Sequence, residues 1–112
     1  EDISPEDFFT LWVPQSVAAD EERRRRLDGL DASIVFDLSG EGGGEFTVRV
    51  FEGKVDGRVG GHDSPDLRVE VDIGTWRRLN SADISAPEAL LRRRLKLEGD
   101  FLLGLKLHLI LG

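Results

Sequence analysis

The apolar positions change period along this chain, and each change marks an element. Ser4-Pro5-Glu6-Asp7 reads as a helix start: serine caps, proline suits the first helical position, and acids suit the positive dipole end. Phe8, Leu11 and Trp12 follow at helical spacing, and Pro14 predicts a break or kink at Val13. Asp20 caps a further helix that ends at Leu27, with Gly29 as its stop. The period then falls to two. Ile34, Phe36 and Leu38 form one strand face, Phe46, Val48 and Val50 a second, and Val55, Gly57 and Val59 a third. Leu67, Val69 and Val71 form a fourth, and the short turns between the first three strands predict antiparallel pairing.

Asp72 predicts a cap on a short helix carrying Trp76 and Leu79, and Ser85-Ala86-Pro87-Glu88 a capping box on another, with Leu90 and Leu91 inward. Leu95 and Leu97 alternate with Lys96 and Glu98 as a fifth strand. Asp100 then caps a last helix from Phe101 to about Leu111. Every strand is apolar on one face and mostly charged on the other, so the helices pack on one side. A plain two-layer core accounts for that alternation. The last helix is different: Phe101, Leu102, Leu103, Leu105, Leu107, Leu109, Ile110 and Leu111 surround its whole circumference. Such a helix is buried, faces a partner, or faces an apolar ligand, and a small chain has little material to bury it on all sides.

Length and composition narrow the function classes. The 112 residues suffice for one domain, 1–112, with no repeat or linker, and 33% of them are charged. Without cysteine there are no disulfides or thiolate metal sites. A net charge of −7 disfavours nucleic acid, and the dense basic cluster Arg23–Arg26 follows Asp20, Glu21 and Glu22, a self-neutralised helix surface. No segment is apolar enough to span a membrane and no signal peptide is visible, which makes cytoplasmic the default reading. His62, beside Asp63 and Ser64, sits in a turn rather than in a triad, and His108 stands alone in the leucine-rich helix. Gly40 to Gly44 lacks the Lys-Ser/Thr ending of a phosphate loop and lies between strands. Neither catalytic residues, nor a metal site, nor a cofactor is expected.

The order of elements, and the C-terminal third above all, resembles the sterol-carrier-protein-two lipid-transfer family. The carrying residues are Asp66-Leu67-Arg68-Val69 through Trp76 and Leu79, Pro87-Glu88-Ala89-Leu90-Leu91, and Leu95-Lys96-Leu97-Glu98-Gly99-Asp100, together with the start Ser4 to Phe9, Trp12 and Pro14. Arg93 departs from the pattern where the family usually has glycine, as do Asn80 or Ser81 in the interhelical turn, and these bear on the pocket mouth. The resemblance implies an α+β domain, a five-stranded mixed sheet with helices on one face enclosing an apolar tunnel. Its wall would comprise Val48, Val50, Leu67, Val69, Trp76, Leu79, Leu91, Leu95, Leu97, Phe101 and Leu105. It also implies a fatty acid, acyl chain or sterol-like ligand, carried rather than transformed, with transient membrane contact. The competing reading is a dimerisation or scaffold module, a homodimer through the C-terminal helix or a domain appended to a larger enzyme.

Overall fold

The computed structural model describes residues 3–111. The first helical region runs from α1 (Pro5–Asp7) through a π-helical stretch, Phe8–Trp12, into α2 (Val13–Ala18). Ser4 accepts from the Asp7 amide at 3.1 Å, the cap read from the sequence. The chain does not break at Pro14. In α geometry the proline ring would meet the Thr10 carbonyl; instead the turn before it widens, and the Val13 amide donates five residues back to Phe8. Helix α3 (Glu21–Leu27) is capped by Asp20, and Gly29 takes a left-handed φ of 89° just beyond it. Glu22 pairs with Arg25 and Arg26, and its hydrogen bond from Arg25 holds its carboxyl below the ordinary range.

Strands β1 (Ala32–Ser39), β2 (Gly44–Phe51), β3 (Lys54–Val59), β4 (Leu67–Asp72) and β5 (Leu95–Gly99) form one sheet in the order β3-β2-β1-β4-β5. β1, β2 and β3 pair antiparallel, β4 lies parallel to β1, and β5 is antiparallel to β4. Asp66 sets the parallel register: its carboxylate accepts from the Ser33 amide and its own amide donates to the Ser33 carbonyl, both at 2.8 Å. The inward rows align across strands, with Ile34 beside Val48 and Leu67, and Phe36 beside Phe46 and Val69. On the outward face Arg68 bonds Asp37 and Glu45 at 2.9 Å each, which raises its pKa through Glu45 first, and it lies 3.7 Å from Glu70. Val35 also points outward yet is fully buried, flanked by Thr47 and Arg68 in the register.

Phe9 stacks on Phe36 and Phe46, with ring centroids 4.7 and 5.2 Å apart, and this docks the first helical region on the sheet. The Phe9 carbonyl sits so close to Gly57 of β3 that any Cβ there would overlap it. Helix α4 (Ile73–Asn80) is capped by Asp72, and α5 (Ala86–Leu91) by Ser85, which accepts from the Glu88 amide at 3.2 Å. The Glu88 side chain turns forward to Arg92 at 3.0 Å.

The last helix departs from expectation. It is two short helices, α6 (Phe101–Gly104) and α7 (Leu107–Leu111), separated at Leu105-Lys106. Gly104 is a poor helix former, and the Lys106 amide reaches only three residues back, to Leu103 at 2.9 Å. α6 packs on β4 and β5, whereas α7 packs on α2 and α3. Arg23 fixes α7 there. Its guanidinium donates to the Leu109 and Ile110 carbonyls, both at 2.9 Å, and to the Ser16 hydroxyl at 2.6 Å. Arg23 therefore leaves the solvent surface assigned to the arginine cluster and satisfies carbonyls at the end of α7.

Candidate functional site: an apolar opening beside the edge strand

The eleven expected wall residues divide into three groups. Val48, Val50, Leu67, Val69, Trp76 and Leu95 are buried in the core between sheet and helices. Leu79 and Leu97 are half-buried against it. Leu91, Phe101 and Leu105 are exposed, at 85%, 65% and 72%. The expectation that Leu90 and Leu91 point inward is corrected. Ala89, fully buried, occupies the inward position of α5, and at 100° per residue the next two side chains turn away from it.

The exposed side chains gather by element. Leu90 and Leu91 belong to α5 and Phe101 and Leu102 to α6, while Leu105 follows α6 directly. Both helices contact β5, the edge strand, whose inward Leu97 is half-buried. A Cβ at Gly104 would lie 3.2 Å from a Leu97 methyl, so α6 rests its glycine on this strand and leaves little bulk above it. Asp100 sets this orientation by accepting from the Leu102 and Leu103 amides at 3.0 and 3.2 Å. Leu103 is thereby buried and its neighbour Leu102 is exposed. The exposure of Leu102, which is not among the eleven expected wall residues, follows from the capping aspartate two residues earlier.

An aromatic cluster joins the first helical region to α4. Trp76 is edge-on to Phe8 at 5.4 Å, and Phe8 stacks on Trp12 at 5.2 Å, so both tryptophans belong to one cluster although Trp12 is 44% exposed.

Polar chemistry lies elsewhere. The His62 ring accepts from the Ser64 amide at 3.0 Å, a turn contact with the backbone and not with the serine hydroxyl. No three His, Asp or Glu residues are grouped to hold a metal ion among the described residues. No helix among them is long and apolar enough to cross a membrane. A cleft of about 350 Å³ is lined by Ser39, Glu70, Val71, Asp72, Arg93, Arg94 and Lys96, which brings three cations together with two acids away from the Arg23–Arg26 run. Asp72 there accepts from the Thr75 hydroxyl at 2.6 Å and the Thr75 amide at 2.9 Å, bonds that hold its carboxyl below the ordinary range. The two departures from the family pattern meet their turns differently. Arg93 itself adopts the left-handed φ of 59°, whereas in the interhelical turn Ala82, at 63°, does so in place of Asn80 or Ser81.

Similar folds are known. The sterol carrier protein domain 2 of Helicoverpa armigera superposes with a TM-score of 0.70 at 20% identity, over 96% of this chain and 89% of that one. Palmitated sterol carrier protein 2 like 2 of Aedes aegypti gives 0.64 at 22%, over 94% and 91%. A stereoselective inverting sec-alkylsulfatase from Pseudomonas sp. gives 0.65 at 20% over 78% of this chain, which spans only 14% of that enzyme. Among curated proteins, none matches the sequence. The decisive likeness is in sequence, since the SCP-2 sterol transfer family model matches residues 13–112 and takes in all five strands and the helices at the opening. The chain belongs to the SCP-2 sterol transfer family.

Proposed function

We propose that this domain binds and carries an apolar lipid, a fatty-acyl or sterol-like molecule, between β5 and the helices α5 and α6, and performs no chemistry on it. The observation that carries this reading is the set of exposed apolar side chains Leu91, Phe101, Leu102 and Leu105, on or next to two helices that contact β5, in a member of this family. A ligand there would cover apolar surface at a gain of about 25 cal/mol per Å², or about 0.8 kcal/mol for each methylene buried. Chain length then governs affinity. The palmitated relative from Aedes aegypti supports an acyl chain as ligand.

Native mass spectrometry of the purified protein tests the reading. A monomer with one co-purified fatty acid or sterol is the expected result. A ligand-free dimer that also fails to take up added palmitate would replace carriage with a dimerisation module built on α6. Because no arginine or lysine is among the wall residues, a fatty acid and its methyl ester should bind within about tenfold of each other, a gap of about 1.4 kcal/mol.

A further inference from the structure

Val48, Val50, Leu67, Val69, Trp76 and Leu95 are shut inside the core, so a lipid that passes from the opening to these residues has to displace an element. The C-terminal segment has the construction of that element. α6 packs on β4 and β5 at one edge of the sheet, and α7 packs on α2, which itself lies on β3 at the other edge. The link between them therefore crosses above the inward face. Helical bonding fails at this link: the Lys106 and Leu109 amides each reach only three residues back, to Leu103 at 2.9 Å and to Lys106 at 3.0 Å. Leu105 and Lys106 are also exposed, so little packing holds the link in one shape.

α7 has five residues, far fewer than a helix needs to persist alone. Its docking rests on two kinds of contact. Ile110 is fully buried, with Leu107, Leu109 and Leu111 half-buried against the core. Arg23 supplies the polar contact. From α3 its guanidinium bonds the Leu109 and Ile110 carbonyls and the Ser16 hydroxyl of α2, and Asp20 lies 4.0 Å from its Nε. Its side chain is 15% exposed, whereas Arg24, Arg25 and Arg26 beside it lie open to solvent. Such a latch is reversible. When α7 lifts, water takes over both the guanidinium and the carbonyls, so no polar group is left unsatisfied. The apolar surface that lifting uncovers, Ile110 foremost, is of the kind an acyl chain covers in turn.

We infer that Arg23 is the positioning residue of a gate: α7 swings about Leu105-Lys106 to pass an acyl chain to the core side of the site, and Arg23 sets how often it swings. The gate rests on the carrier reading and governs how fast lipid is exchanged rather than whether it is bound. Arg23 does not touch the ligand. A group that acts only on a gate changes entry and exit by the same factor, because the open state is common to both directions, and it leaves their ratio alone.

Stopped-flow uptake and release of cis-parinaric acid, a fluorescent fatty acid, tests this on the full chain. Arg23→Met keeps the apolar stem and loses the guanidinium. Both its rate constants should rise by about tenfold, equivalent to about 1.4 kcal/mol, with Kd within about twofold of wild type. Arg23→Lys keeps the charge but lacks the planar fork that spans two carbonyls, so its rates should fall between, and it carries the test if the methionine variant does not fold. Hydrogen exchange should quicken at the amides of 107–111 in Arg23→Met and stay as in wild type across β1 and β2. Arg24→Met, on the exposed side of α3, should match wild type throughout. Ser4→Ala removes the α1 cap and lowers the urea midpoint, yet should leave both rates alone. Rates raised equally by Ser4→Ala would reduce the effect to general destabilisation and overturn the gate. So would a change in only one rate that moves Kd about tenfold, which would make Arg23 part of the ligand site. Normal uptake by wild type with unchanged rates in the Arg23 variants overturns the gate alone. A wild type that takes up no probe overturns the carrier reading and the gate with it.

Discussion

Leu103 and Leu105 are two residues apart, chemically identical and oppositely placed, and a glutamate at each separates folding from binding. Leu103 is 3% exposed beneath α6, and Leu105 is 72% exposed at the break before α7. Leu103→Glu forfeits about 1.5–3 kcal/mol of burial and adds the cost of an unpaired carboxylate in apolar surroundings, so the loss is at least about 3 kcal/mol. With a urea slope of about 1.5 kcal/mol per M, the midpoint falls by about 2 M. Leu105→Glu removes almost nothing from the core and should change stability by no more than about 0.5 kcal/mol. Its effect falls on the ligand. If lipid covers the exposed seven-tenths of that side chain, its removal loses about 1–2 kcal/mol, roughly five- to thirtyfold in affinity, and a carboxylate facing the chain deepens the loss. Urea titrations and palmitate titrations of both variants are the assay. The reasoning is refuted if Leu105→Glu lowers the midpoint as far as Leu103→Glu, or if it leaves palmitate affinity within about threefold. Retained affinity in a variant that ceases to self-associate would favour the dimerisation module.

Two other outcomes are expected. Gly57→Ala forces a methyl into the Phe9 carbonyl, with backbone on both sides and no flexible atom to yield, and should cost about 3 kcal/mol in a urea titration; an unchanged midpoint would mean that the first helical region does not rest on β3. Asp72→Ala removes the α4 cap and should cost about 1 kcal/mol at pH 7. Because the folded carboxyl is held below its ordinary value of 3.8, the stabilisation is complete above that pH and fades as pH falls through the lowered folded value. The gap between variant and wild type should therefore narrow in acid, and a gap constant from pH 7 to pH 2.5 would remove the carboxylate from the account.

What the sequence determined by itself was everything set by local chemistry and by period. The caps at Ser4, Asp20, Asp72, Ser85 and Asp100 and the two-residue alternation of β1 to β5 were all legible, because each depends on residues within a few positions of one another. Membership of the family was legible too, through the spacing of those same signals. Which apolar residues would be core and which would be opening was not, because both are aliphatic and only neighbours distant in the chain distinguish them. Ala89 filled the inward place on α5 and turned Leu91 outward. The long apolar helix became two because Gly104 meets Leu97 at one end and Arg23, more than eighty residues away, holds Leu109 and Ile110 at the other. Arg23 itself was indistinguishable from Arg24, Arg25 and Arg26 in sequence, since a helix surface gives no sign of which arginine will meet free carbonyls. The same holds for Arg92 to Arg94. Only the tertiary structure sets Arg93 and Arg94 around one cleft with Lys96, Glu70 and Asp72, because long-range packing, not local preference, decides what a turn faces.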